Sequence, residues 1–271
     1  IGVAFGLGFI VGPAIGGIAA LWDPTATWPG LAEYGVNPFS CAALAAFALA
    51  ATNFLFVLVQ FPETLPARDV IDRPKRTVNP LTLFRTESYP GVSATNFTNF
   101  LFLVTFSGME FSLTFLARDR LNYTAQQNVG IFLFVGLTLA LVQGGYVRRF
   151  AERIGNKRMA MHGLICCYPG LILIGLAKST AMLYAGLFFM ALGGAQVLPC
   201  LTALASVYAP ASEQGRVLGV FRSLGALARA IGPLLACVLY WRLGPTMAYH
   251  WSALFLTLPL LLMMSLPSPS G

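Results

Sequence analysis

The sequence predicts an all-α, polytopic membrane protein, and three observations carry that prediction. Of its 271 residues, 57% are hydrophobic and only 10% charged, and the mean hydropathy is +0.73. Soluble domains carry roughly 25% charged residues, so this supply cannot cover a surface exposed to water. The charges are also clustered. They leave charge-free runs at 1–22, 34–62, 88–109, 121–147, 159–177, 179–212 and 243–271, each reaching or approaching the roughly 20 apolar residues that cross a bilayer as a helix. Finally, the runs are uniformly apolar, whereas barrel strands alternate. The same composition excludes disordered, collagenous and disulfide-rich chains.

Taken in order, the first span is expected at 1–21 and the second at 41–61. The segment 62–91 carries Pro62, Pro66, Pro74, Pro80 and Pro90, mixed charge and no helical periodicity, and reads as a linker. Six more spans are expected at 92–116, 128–147, 159–177, 181–207, 215–240 and 246–266; the seventh requires Arg222 and Arg229 inside it. The expected division is therefore 1–62 as two helices, 63–90 as a central linker and 91–271 as a six-helix bundle. Lys and Arg favour cytoplasmic loops. Eleven basic residues fall in one set of loops, among them Arg73, Lys75, Arg148, Arg149 and Lys157, and four in the other: Arg118, Arg120, Lys178 and Arg242. The first set is expected to be cytoplasmic, which puts the linker and the C-terminus inside.

Two spans before a linker and six after it suggest a twelve-span protein built as six plus six, with its first four spans missing from this chain. An internal echo supports this. Gly12-Pro13 in the first span and Gly232-Pro233 in the seventh lie six spans apart in the same orientation, as in a parallel repeat of six-helix halves.

The net charge of +7 comes from short loops flanking spans, so it is read as a topology signal, and no nucleic-acid partner is expected. Cys41, Cys166, Cys167, Cys200 and Cys237 all fall in apolar spans without CxxC or Cys/His spacing. Neither a metal nor a cofactor is expected. The two histidines sit in no His-Glu-x-x-His pattern, and no Gly-x-Ser-x-Gly or Walker-type loop is present. A membrane-embedded enzyme and a nucleotide-driven pump are thereby disfavoured.

Ionisable residues at membrane depth mark function by default. Arg229 lies near the middle of the seventh span, and Arg222, seven residues earlier, shares its face. Arginine keeps its charge and presents a planar fork to carboxylates or phosphates. Arg229 is thus either an anion site or half of a structural ion pair. Arg222 is either a second site residue or a chain snorkelling to the interface. Glu110 belongs to a polar stripe of Asn96, Asn99, Ser107, Glu110 and Thr114 along the third span. Such a stripe must face water or protein. Glu110 either couples proton movement or forms a fixed pair with Arg229 or Arg118. Gln196, in the sixth span, is read more readily as a helix–helix hydrogen bond than as a ligand.

Several motifs resemble the major facilitator superfamily, specifically its drug:proton antiporter branch. Gly8, Gly12, Pro13, Gly16 and Gly17 fill that branch's Gly-x-x-x-Gly-Pro-x-x-Gly-Gly antiporter motif, and Phe61-Pro62-Glu63-Thr64-Leu65 is similar to the ending of the family's sixth helix. Glu152, Arg153, Gly155, Lys157 and Arg158 resemble the family's repeated cytoplasmic loop motif, with Asn156 where an arginine is expected and Gly145 three residues too far upstream. The glycines of the first motif recur every four residues and allow close helix approach; the loop motif serves equally as a set of positive-inside anchors. Phe106 to Glu110, Gln143 to Arg149 and Arg222 to Pro233 are similar to a group of organic-anion and drug-like-compound transporters in that superfamily. The resemblance implies eight of twelve helices, equivalent to helices 5–12. It also implies a monomeric secondary active transporter of small organic solutes, organic anions or drug-like compounds, working by alternating access in a lipid bilayer with protons as a candidate coupling ion. The competing reading is a membrane scaffold or sensor on a transporter fold, which would have no need of Arg229 and Glu110 at membrane depth.

Overall fold

The fold was analysed in a computed structural model. The structure describes residues 22–37, 39–62, 89 and 91–267, together with Gly8, Val11, Gly12, Ile15, Gly16, Ile18 and Ala19. The described part of 1–21 is helical, but Pro13 and Gly17 of the glycine motif and all of the expected linker 63–90 except Tyr89 lie outside the described residues. Among the described residues, seven helical stretches are long and apolar enough to cross a membrane: 40–60, 92–121, 126–154, 156–176, 180–207, 214–243 and 245–265. They coincide with the second to eighth expected spans. Within a helix the backbone polar groups bond one another, as lipid demands, except where an internal proline such as Pro169, Pro199 or Pro233 withholds a donor.

The chain divides into two compact units, 11–82 and 1–10 with 83–271. In the first, Asp23 caps the short helix α1 (Pro24–Thr27). The Thr25 hydroxyl (2.6 Å) and backbone amide (2.9 Å) both donate to Asp23 Oδ1, and these bonds hold the carboxyl below the usual carboxylate range. Helix α2 (Ser40–Gln60) buries none of its residues. An apolar helix of that kind meets lipid or further helices.

The second unit is a helical bundle. Helix α3 is Val92–Leu121. The next span comprises α4 (Ala125–Leu141), a π-helical segment Val142–Val147 and α5 (Arg148–Ile154). Helices α6 (Asn156–Leu176), α7 (Thr180–Val207) and α8 (Gln214–Leu243) follow. The last span is two helices, α9 (Pro245–Phe255) and α10 (Thr257–Ser265). Sequence runs alone suggested one continuous helix there. The break at Leu256 has a local cause: Pro259 lacks the N–H that would bond the Phe255 carbonyl.

Charged residues also extend helices beyond their apolar runs. Arg118, Asp119 and Arg120 remain in α3, and Arg148 to Arg153 form α5. Gly155 separates α5 from α6 at φ 86° and ψ 139°, a backbone conformation that favours glycine.

Lipid supplies no hydrophobic drive between helices, so close packing of small residues holds them together. Helices α6 and α7 are antiparallel and meet through two glycine pairs. A Cβ on Gly163 would stand 2.7 Å from the Gly193 carbonyl oxygen, and one on Gly170 would stand 3.0 Å from that of Gly186. Helices α3 and α8 run parallel. A Cβ on Gly108 would lie 2.9 Å from the Gly232 oxygen and from Ala236 Cβ.

We expect Gly193→Leu to destabilise the bundle by at least about 1–3 kcal/mol, since nothing at Gly163 or Cys167 can yield to the added atoms. Gly219, a helical position of α8 with nothing within 4 Å of its Cβ site, is the control. There Gly219→Ala should be neutral or stabilising by up to about 1 kcal/mol. Thermal unfolding of detergent-solubilised protein checks both.

Candidate functional site

Asn99 and Ser107 fall along the contact between α3 and α8. Asn99 is 1% exposed; its Nδ2 donates to the Phe221 carbonyl at 3.4 Å. Ser107 Oγ donates to Leu103 O at 2.7 Å, with Ala228 O at 3.4 Å. Both side chains therefore serve the helix contact. Asn96 is 3% exposed, and its Oδ1 has no partner among the described residues; the same holds for Asn99 Oδ1 and Thr98 Oγ1. A buried acceptor without a donor is costly, so this half of α3 has unfilled hydrogen-bonding capacity.

Glu110 lines a cavity of about 20 Å³ with Phe106, Met109, Leu113, Phe132, Val135, Leu187, Met190 and Ala191. That volume holds about one water molecule and is far smaller than an organic solute. Glu110 is the only ionisable group in the lining. Arg229 lies on α8, the helix that packs against α3. The parallel pairing of Gly108 with Gly232 puts Arg229 level with Thr105, about 7 Å along the axis from Glu110, within reach of a long arginine side chain. Pro233 in α8 cannot donate to the carbonyl four residues back, which is that of Arg229 itself. Arg222 lies on the same flank but is exposed.

Gln196 is 3% exposed, and its Nε2 donates to Leu192 O at 2.9 Å. It sits on the face of α7 that packs against Gly163 of α6. Among the loop-motif residues, Glu152, Arg153 and Arg158 are exposed. Lys157 has a defined role: its Nζ donates to Met264 O at 3.1 Å and to Leu266 O, tying the start of α6 to the end of α10. Nothing among the described residues lies within 4 Å of the Cβ sites of Gly8, Gly12 and Gly16.

Sequence reasoning missed a clasp at the opposite end of the bundle. Tyr240 OH donates to Asp119 Oδ2 at 2.9 Å. Arg120 donates to the Gly175 carbonyl and to Thr246 Oγ1, both at 2.6 Å. Four helices, α3, α6, α8 and α9, are joined there. The Arg118-Asp119-Arg120 run was legible only as a loop signal. Tyr249 was also missed: it is 2% exposed, and its OH lies 3.1 Å from Ser112 Oγ. Gln143 is buried in the π-helical segment with Oε1 unpartnered among the described residues; in the sequence it stands out only as the first residue of the Gln143-to-Arg149 resemblance.

With that geometry in place, comparison with known proteins is decisive on family. The model of the Major Facilitator Superfamily matches residues 1–233. The chain belongs to that superfamily. Within the superfamily it is 34% identical to human (Homo sapiens) major facilitator superfamily domain-containing protein 10 across 100% of this chain and 59% of that protein. It is 30% identical to the class E tetracycline resistance protein of Escherichia coli, over 88% of this chain and 55% of that one. The crystal structure of the human organic anion transporter MFSD10 (TETRAN) superposes with a TM-score of 0.74 at 32% identity, covering 97% of this chain and 62% of that one. The chain thus spans about three-fifths of the length of these superfamily relatives.

Removing the Arg120 clasp should leave the Gly175 carbonyl and the Thr246 hydroxyl without their charged donor. Arg120→Ala is expected to cost about 1–3 kcal/mol. Asp119→Asn, which keeps an acceptor for Tyr240, should cost less. Denaturation midpoints of the two variants, compared in one detergent, check the order.

Proposed function

We propose that the full-length protein is a secondary active transporter of small organic solutes, with organic anions or drug-like compounds as its substrate class, working by alternating access. The observation that carries this reading is a pair of opposite ionisable residues at membrane depth on two packed helices: Glu110, the only ionisable group lining an apolar cavity, and Arg229 on α8. A charge placed there is costly, and a scaffold has no use for it. The relatives support the substrate class. One is described as an organic anion transporter and others as tetracycline resistance proteins.

In this reading Arg229 contacts the anionic group of the substrate, with Arg222 as a second cation along the same flank of α8. Asn96 and Asn99 present their unpartnered carbonyl oxygens to substrate or water, while Ser107 and Gln196 hold helices in place. Glu110 takes up and releases the coupling proton. The antiporter-type motif, Gly8, Gly12, Pro13, Gly16 and Gly17, supplies a face for close helix approach. Glu152, Arg153, Gly155, Lys157 and Arg158 form the inner turn. The end bearing Lys157 and the C-terminus is cytoplasmic by the positive-inside rule. The domains are 1–62, 63–90 and 91–271, and the protein works as a monomer in the bilayer.

The test is uptake of an organic anion by full-length protein in proteoliposomes, with and without an imposed pH gradient. Arg229→Ala should lower uptake at least about tenfold, because a hydrogen bond to a charged group is worth about 1.5–3 kcal/mol. Glu110→Gln should still bind substrate but lose its response to the gradient. Absence of uptake by the unmodified protein overturns the transporter reading. Equal uptake by Arg229→Ala overturns the anion site, and an unchanged gradient response in Glu110→Gln overturns the coupling role.

A further inference from the structure

The exposed face of the fourth span changes character along its length in an order that matches a phospholipid. Leu137 and Leu141, one turn apart, are 52% and 66% exposed. Next comes Gly145, exposed and with nothing within 4 Å of its Cβ site. Arg148 and Arg149 follow, and Arg153 lies one turn beyond Arg149; all three are exposed on α5. Apolar, bare and cationic surface therefore succeed one another over about 24 Å of helix.

The opposite side of α5 is occupied: Phe150, Ala151 and Ile154 pack on the core. The cationic face is therefore held in one orientation. Tyr146 stands beside it, its ring 5.2 Å from that of Phe150. Arg158 is exposed just across the Gly155 turn. Lys157 is engaged with the end of α10, whereas none of the four arginines makes an ion pair or hydrogen bond among the described residues. Of the described acids at this end, Glu213 pairs with Arg216 at 2.6 Å, and Glu152 is the one negative charge on the α5 face.

We propose that this face is a docking site for an anionic phospholipid: acyl chain along Leu137 and Leu141, glycerol against Gly145, headgroup phosphate and carboxylate held by Arg148, Arg149 and Arg153. Charge complementarity favours an anionic headgroup, since the four arginines outnumber Glu152. Arginine forks suit phosphate oxygens. The adjoining apolar strip selects a lipid over a soluble anion, because a free phosphate gains nothing from Leu137 and Leu141. Anionic lipids of the cytoplasmic leaflet attract basic segments beside a span, and the site stands independently of what the protein carries.

The test titrates full-length protein in detergent with short-chain phosphatidylserine, short-chain phosphatidylcholine or inorganic phosphate, reading the thermal midpoint. Phosphatidylserine should raise the midpoint of the unmodified protein, and added salt should weaken the effect. The Arg148→Gln/Arg149→Gln/Arg153→Gln variant should need about 100-fold more phosphatidylserine, at about fivefold per arginine. Replacing the same three residues by Lys should preserve most of the protection. If the triple Gln variant fails to fold, Arg148→Gln and Arg149→Gln singly carry the test at about fivefold each. Equal protection by phosphatidylcholine, or an unshifted titration in the Gln variants, overturns the proposal. Equal protection by inorganic phosphate overturns the lipid assignment in favour of a soluble anion.

Discussion

The contact between α3 and α8 at Gly108 and Gly232 is the constraint on which the candidate site depends. Two helices in lipid gain little from apolar side chains meeting, because lipid is equally apolar; they gain from backbones that approach closely. Here the approach is set by the absence of Cβ atoms, since a methyl on Gly108 would stand 2.9 Å from the Gly232 oxygen. The same approach brings Ser107 and Asn99 to the α8 backbone and sets the spacing between Arg229 on α8 and Glu110 on α3. Charge interactions weaken with separation and strengthen in a low dielectric. Widening this one contact would therefore loosen the hydrogen bonds and the charge pair together.

The bundle is fastened at both ends by polar groups and packed between them by small ones. At one end Arg120 and Asp119 join α3 to α6, α8 and α9. At the other, Lys157 holds the end of α10, and Tyr208 donates to the Pro267 carbonyl at 2.6 Å. Glycine pairs close α6 against α7 along the middle. Packed interiors respond to load as units and do not deform continuously. An assembly tied at both ends suits rigid-body rocking better than the sliding of one helix past another. The exceptions are local: the π-helical segment at Val142–Val147 and the break at Leu256.

Charge-free runs located the spans because a charge inside lipid is rare, and that rule placed 41–61 within one residue of Ser40–Gln60 at each end. It failed where charge stays in a helix. Arg118, Asp119 and Arg120 read as a loop, yet α3 continues to Leu121 because Arg120 and Asp119 find partners on neighbouring helices. Those partners, Gly175, Thr246 and Tyr240, lie 55 to 126 positions away and leave no local signature. The site was legible to the extent that it is made of charges: Glu110 and Arg229 stood out against apolar surroundings. Tyr249 and Ser112 did not, since a tyrosine in a span looks like any aromatic until its hydroxyl partner is known. The face of α3 was legible too, but not its use: Asn99 and Ser107 hold α8, and only tertiary contacts reveal that.

Arg229 and Glu110 differ in one respect that matters for the proposed transport cycle. Arginine keeps its charge at any accessible pH, whereas a carboxylate can be neutralised. With Glu110 ionised, the pair is neutral overall and an incoming anion meets a cation already compensated. With Glu110 protonated, the same guanidinium has a full charge to offer. A proton on Glu110 and an anion on Arg229 then favour one another, and linkage requires the effect to be equal in both directions. The water-sized cavity beside Glu110 has room for the proton's carrier but not for an organic solute. In that scheme the two ligands reach the pair from different sides: the proton from the apolar crevice formed by α3, α4 and α7, the anion from the flank of α8 that carries Arg222 and Arg229.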